Sequence, residues 1–140
     1  MSISEYTNST NNLELTDRKY EVLMMDTEIF KAFSDENRLR IVNLLMHKEL
    51  CVCELEVVLE MSQSNVSRHL IKLKQAQIVI SKKDSQWVYY SINPHFIENN
   101  KHLYAHIQEK FLLDKQLASD SEKLKAVGLQ HIICETGKES

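Results

Sequence analysis

Residues 61–92, MSQSNVSRHLIKLKQAQIVISKKDSQWVYYSI, change their hydrophobic period partway along. Val66, Leu70 and Leu73 recur at helical spacing, whereas 78–81 and 87–92 are β-favouring runs around a polar turn, so a helix followed by a hairpin is expected. The other faces of that helix carry Gln63, Ser64, Asn65, Ser67, Arg68, His69 and Lys72, and the hairpin tip carries Lys82 and Lys83. Such a set is either solvated surface or a reader that hydrogen-bonds base edges and phosphates from the major groove.

Charge distribution favours the reader. The 140-residue chain has net charge −3, and residues 1–61 hold six basic against twelve acidic groups, yet residues 62–83 hold five basic groups and no acid. The positive charge is thus confined to the helix and hairpin, where phosphate contacts would fall.

Working outward, the flanks are helical. SDENRLRIVNLL (34–45) offers Ser34 as an N-cap, acids in the first turn and a buried face of Leu39, Val42 and Leu45. Tyr20, Leu23, Met24, Phe30 and Phe33 space a helix from about Thr16, and a short helix is expected over about Val52–Glu60. Beyond the hairpin, Asn93 caps a helix that Pro94 begins and that is expected to reach about Leu117, followed by an amphipathic stretch from about Ser121 to Cys134. Two glycines and one proline in the chain favour long helices over a many-turned β fold. The expected class is mainly α with a small β-hairpin, a winged helix-turn-helix. Residues 1–15 are expected to be a disordered tail, 16–118 the DNA-binding and dimerisation domain, and 119–140 a C-terminal helical extension and tail.

No apolar run is long enough to span a bilayer and the N-terminus has no basic-then-apolar leader pattern, so a cytoplasmic protein without a membrane partner is expected. There, three cysteines are reduced thiols rather than a disulfide framework. Two of them stand close together in ELCVCEL (49–55). On a regular helix, residues i and i+2 point about 200° apart and cannot grip one ion. Cys51 and Cys53 are therefore either two small buried side chains or a chelating pair on backbone that is not regular helix. Thiolate selects soft ions, and a helix N-terminus is expected to lower a thiol's pKa. No CxxC, nucleophile–base set or Gly-rich phosphate loop points to an enzyme.

FSDENRLRIVNLL, ELCVCEL, SQSNVSRHLIKLKQAQIV and WVYYSI, in this order over roughly residues 28–110, resemble the ArsR/SmtB family of metal-responsive bacterial repressors. The resemblance implies a homodimer, joined through the first and post-hairpin helices, that holds double-stranded operator DNA when metal-free and leaves it when an ion binds. It places Gln63, Ser64, Asn65, Ser67, Arg68 and His69 on the recognition helix, and makes Cys51 and Cys53 resemble the inducer site of arsenite and antimonite sensors. No constitutive cofactor is implied. The inducer would be As(III) or Sb(III), with Cd(II), Pb(II) or Zn(II) as alternatives, or the thiols could sense redox state or persulfide. The family's frequent third cysteine would fall at Glu56, which leaves Cys134 as the candidate third thiolate. Zinc-sensing members use an Asp-x-His and His-x-x-Glu set that here reads Asn93-x-His95 and His106-x-x-Glu109, giving His95, His106 and Glu109 as an alternative metal site. Where such proteins commonly have glycine after the recognition helix and at the wing tip, this chain has Gln77 and Asp84–Ser85, so a left-handed backbone there would fall on residues with a Cβ.

Overall fold

A computed structural model describes residues 26–128; the expected N-terminal tail, the start of the first helix and Cys134 lie outside these residues. Residues 26–33 are helical (α1), followed by α2 (Glu36–Leu45), β1 (Leu50–Cys51), α3 (Val52–Leu59) and α4 (Gln63–Gln75). The hairpin is β2 (Val79–Asp84) and β3 (Trp87–Ile92), and α5 (Pro94–Asn99), α6 (Lys101–Leu113) and α7 (Lys115–Gly128) follow. The mainly helical winged helix-turn-helix is the architecture expected from the change of period.

Local chemistry accounts for most boundaries. Asp35, one residue later than expected, caps α2 by accepting the N–H groups of Asn37 (2.8 Å) and Arg38 (3.1 Å), while the Ser34 hydroxyl instead donates to Lys31 O at 2.6 Å. Ser62 caps α4 by accepting from Asn65 N at 3.2 Å. At the other end of α4, Gln77 N donates to Lys74 O and Ile78 N to Leu73 O, each at 3.0 Å. This Schellman closure needs a left-handed residue, and Gln77 supplies it at φ 60°. Ser85 at the wing tip adopts φ 61°, so both positions lacking glycine do take the left-handed backbone, at a cost of roughly 1 kcal/mol each.

Two features differ from the expectation. Leu50 and Cys51 form a short third strand, paired antiparallel with β3 in the order β1-β3-β2, with Leu50 opposite Tyr90 and Cys51 opposite Tyr89. The long helix after the hairpin is broken twice. Asn100 (φ −135°) separates α5 from α6, and Asp114 adopts extended backbone and caps α7 by accepting from Leu117 N at 3.0 Å.

The core joins α2, β1, α3, α4 and the start of β2 through Ile41, Leu44, Leu50, Leu55, Leu70, Leu73 and Ile78, all essentially inaccessible to solvent. Residues 41–45 of α2 are all buried because α7 covers the side that α4 leaves open. That second contact is polar as well as apolar. Asp120 is 0% exposed and takes Arg40 Nε at 2.8 Å and Nη2 at 3.0 Å, with Gln116 Nε2 at 3.0 Å. Asn43 Nδ2 donates to Leu117 O at 3.1 Å and to Ser121 Oγ at 3.2 Å. The hydrogen bond to Asp120 holds the Arg40 guanidinium even more firmly protonated than usual.

A second polar knot fixes the inner face of α4. His69, expected among the outward-facing residues, is buried. Its Nδ1 lies 3.3 Å from Arg38 Nη1 and 3.9 Å from Asp35 Oδ1, while Arg38 Nε donates to Ala32 O at 2.7 Å. The end of α1, the start of α2 and the middle of α4 thus meet at one imidazole. Helical rotation explains the placement, since position 69 lies about 40° beyond Leu73, at the edge of the buried stripe of Val66, Leu70 and Leu73. Burial pushes the imidazole below the usual histidine range; Asp35 opposes this, and Arg38 and Arg68 add to it. The neutral ring can accept the Arg38 N–H at Nδ1, which the protonated ring cannot.

Two predictions follow from these knots. Asp120→Ala leaves Arg40 half-buried without its carboxylate and lowers the unfolding free energy by about 3 kcal/mol or more, measured by urea denaturation; a loss typical of an exposed ion pair, about 0.5 kcal/mol, contradicts this. Because the folded-state pKa of His69 is depressed, the unfolded chain takes up its proton first as pH falls. The stability from neutral His69 is therefore complete above about pH 6.5 and lost as pH falls through the lower folded value. Unfolding free energy should fall more between pH 7 and 5 in the wild type than in His69→Gln, and equal slopes would refute the assignment.

Candidate nucleic-acid interface and thiol pair

α4 buries Val66, His69, Leu70 and Leu73 and turns Gln63, Ser64, Arg68, Ile71, Lys72 and Gln75 to solvent. Its first turn contains no acid, so nothing on the helix neutralises the positive end of its dipole, and Lys72 and Lys74 stand in its last turn. Arg68 Nη2 donates to Asn65 Oδ1, which holds the guanidinium along the helix surface. Asn65 and Ser67 are half-buried at the edge of the exposed face. Of the sequence-predicted residues, Gln63, Ser64, Asn65, Ser67, Arg68 and Lys72 are brought onto one accessible side of α4, and His69 is not.

The wing continues this surface. Lys82 pairs with Tyr89 and Lys83 with Val88 across the hairpin, and because strand side chains alternate, the two lysines leave opposite faces of the ribbon, both exposed. Lys74 Nζ donates to Ser81 Oγ at 2.7 Å and couples the end of α4 to the wing. That residue was not singled out in the sequence, although it lies within the acid-free segment.

Cys51 and Cys53 stand at the junction of β1 and α3. Cys51 is the N-cap of α3 and has extended backbone (φ −90°, ψ 169°), so it escapes the angular limit of a regular helix. Its sulfur sits 3.9 Å from that of Cys53, but Cys53 is itself held in a disulfide, so the expectation of reduced thiols is met at Cys51 and not at Cys53. Two sulfurs bonded to one ion at about 2.3 Å, with a tetrahedral angle between them, stand about 3.8 Å apart. Once the Cys53 disulfide is reduced, the pair has chelating separation with α3 still folded, and no unwinding of the first turn is needed to bring the sulfurs together. Glu54 accepts the Cys51 backbone N–H at 3.0 Å and closes the turn as a capping box.

Cys51 is only 5% exposed, and burial raises its thiol pKa, to which the Glu54 charge adds. The lowering expected from the helix N-terminus is outweighed. At neutral pH this sulfur carries its proton, and an ion that binds must displace it.

The other candidate ligands are not assembled. Glu56 is half-buried on α3. His95 lies on α5, and His106 and Glu109 on α6 beyond the break at Asn100; all three are exposed. Asn93 is committed elsewhere, its Oδ1 accepting from His95 N and its Nδ2 donating to Gln77 O, each at 3.0 Å. Among the described residues no three His, Cys, Asp or Glu side chains are grouped to hold one metal ion. No helix among them is long and apolar enough to cross a membrane.

Comparison with known proteins agrees with this architecture. Residues 35–81 match the family described as "Bacterial regulatory protein, arsR family". The chain is 45% identical over 67 residues to the arsenic resistance transcriptional regulator ArsR1 of Pseudomonas putida, a match covering 47% of this chain and 52% of that protein. It is 43% identical over 84 residues to the cadmium resistance transcriptional regulatory protein CadC of Listeria innocua, covering 59% of this chain and 71% of the relative. The match thus spans only about half of the arsenic regulator's length but more than two thirds of the cadmium regulator's. Among solved structures, a homodimeric winged helix-turn-helix DNA-binding domain from Mycobacterium bovis, a possible ArsR-family regulator, superposes with TM-score 0.59 at 25% identity, over 69% of this chain and 89% of that one. With the fold, the motif order and these relatives in agreement, the chain belongs to the ArsR family of bacterial regulatory proteins.

Proposed function

We propose that the protein is a homodimeric transcriptional repressor that binds operator DNA through α4 and the wing and, with the Cys53 disulfide reduced, is released when As(III) or Sb(III) binds Cys51 and Cys53. The observation that carries this reading is the 3.9 Å sulfur pair at the one residue that both caps α3 and pairs with the wing strand β3. α3 packs on α4, so an ion that displaces the Cys51 proton and completes its coordination from elsewhere acts on the residue that joins the wing pairing to the support of the reading helix. A differential of about 1.4 kcal/mol between the ion-bound and ion-free forms changes operator affinity tenfold.

Phe30 on α1 and Leu112 and Leu113 at the end of α6 are exposed apolar residues on the elements expected to meet a second subunit, which supports the dimer. Cys134 is retained as the proposed third thiolate, and a small-molecule thiol is the alternative. Cd(II) is the second reading. It is favoured by the longer match to a cadmium regulator and by a sulfur separation that fits a tetrahedral ion.

Operator binding should weaken steeply with salt. Arg68, Lys72, Lys82 and Lys83 of two subunits predict a slope of log affinity against log salt of about −7, and a flat response removes the DNA-binding reading. In fluorescence anisotropy, arsenite should release the wild type from DNA and leave Cys51→Ser and Cys53→Ser bound. Normal release of both variants would show that the pair is not the sensor.

A further inference from the structure

Seen down the axis of α4, the buried residues Val66, His69, Leu70 and Leu73 centre on one side, and the point opposite falls among Ser64, Arg68, Ile71 and Gln75. These four recur at i, i+4, i+7 and i+11, so they form one stripe along the helix. Three are polar or charged. The fourth, Ile71, is 56% exposed. A β-branched apolar residue here adds nothing to helix propensity and loses contact with the core. Scattered exposed apolar side chains are ordinary on a protein surface, but this one occupies the middle of the exposed face, beside Arg68 and Lys72.

In the major groove the base edges present hydrogen-bond donors and acceptors and a single apolar group, the 5-methyl of thymine. An isoleucine pressed against a donor or acceptor would leave that group without water or partner, whereas against a methyl it buries apolar surface. We infer that Ile71 is a specificity-determining residue that selects thymine at one position of each operator half-site through its 5-methyl group. The inference rests on the DNA-binding reading above and extends it from attachment to sequence choice. Ser64, Arg68 and Gln75 flank Ile71 on the stripe, and their exposed polar groups can reach neighbouring bases, Arg68 by exchanging its hydrogen bond to Asn65.

The test starts from a pool of randomised duplexes enriched on the full-length protein, and measures affinity for the selected duplex by fluorescence anisotropy while each thymine in turn is replaced by uracil. The wild type should lose about fourfold at one position per half-site, the worth of one buried methyl group. Ile71→Ala should bind the thymine and uracil duplexes alike, near the wild-type affinity for uracil, and Ile71→Val should keep the discrimination. Because the side chain is exposed, all three proteins should melt together. If the wild type is indifferent to uracil at every position, or if Ile71→Ala still discriminates fourfold, the inference is wrong while DNA binding stands. Enrichment of no duplex at all would overturn the DNA-binding reading, and the inference with it.

Discussion

Cys51 ends one element and begins the next. Its backbone pairs with Tyr89 in the sheet, and the same residue caps α3, so strand and helix cannot move independently at this point. β3 is also the inner strand of the wing, and α3 lies against α4. The two parts that would touch DNA are thereby attached, through hydrogen bonds on one side and packed side chains on the other, to the residue bearing a sulfur. A second sulfur at chelating distance, that of Cys53, makes this joint chemically addressable once its disulfide is reduced. Burial keeps the Cys51 thiol protonated at rest, so an ion acts on the joint only by displacing that proton.

A joint transmits force only if its surroundings do not yield, and α2 provides the fixed side. Near its N-terminus Asp35 and Arg38 bind the buried His69 of α4, and along its other face Arg40 and Asn43 bind Asp120, Leu117 and Ser121 of α7. Geometry matters more than net energy in these contacts, because buried polar pairs are costly to break and specific in orientation. α4 is thus pinned through its inner face while its outer face stays exposed.

Much of this was legible in the sequence because it is periodic or because one residue type dictates it. The stripe of Val66, Leu70 and Leu73 marked the reading helix, two β-favouring runs around a polar turn marked the hairpin, and the missing glycines marked the left-handed backbone at Gln77 and Ser85. What escaped depends on contacts far apart in the chain. A strand of two residues, Leu50–Cys51, has no readable period and exists because Tyr89 and Tyr90 lie beside it. His69 looked like one more polar residue of the reading face until the helix was oriented by its neighbours. The thiol pKa went the opposite way because burial is a tertiary property, whereas the helix dipole is a local one. The break at Asn100 interrupts apolar residues that continue in step on both sides, from Phe96 to Leu103, whereas at Asp114 the six-residue step from Phe111 to Leu117 is out of helical phase and the capping preference of Asp marks the break.

The most direct measurement is amide hydrogen exchange on the DNA-free protein with and without arsenite, followed over residues 50–59, 63–75 and 87–92. If ion binding and loss of DNA are one mechanical event at Cys51, exchange changes together in α3, in the β1–β3 pairing and in α4, and none of these changes occurs in Cys51→Ser. Arsenite that binds the wild type yet leaves exchange in α4 and β3 unaltered would contradict the coupling of the sulfur pair to the DNA-reading surface.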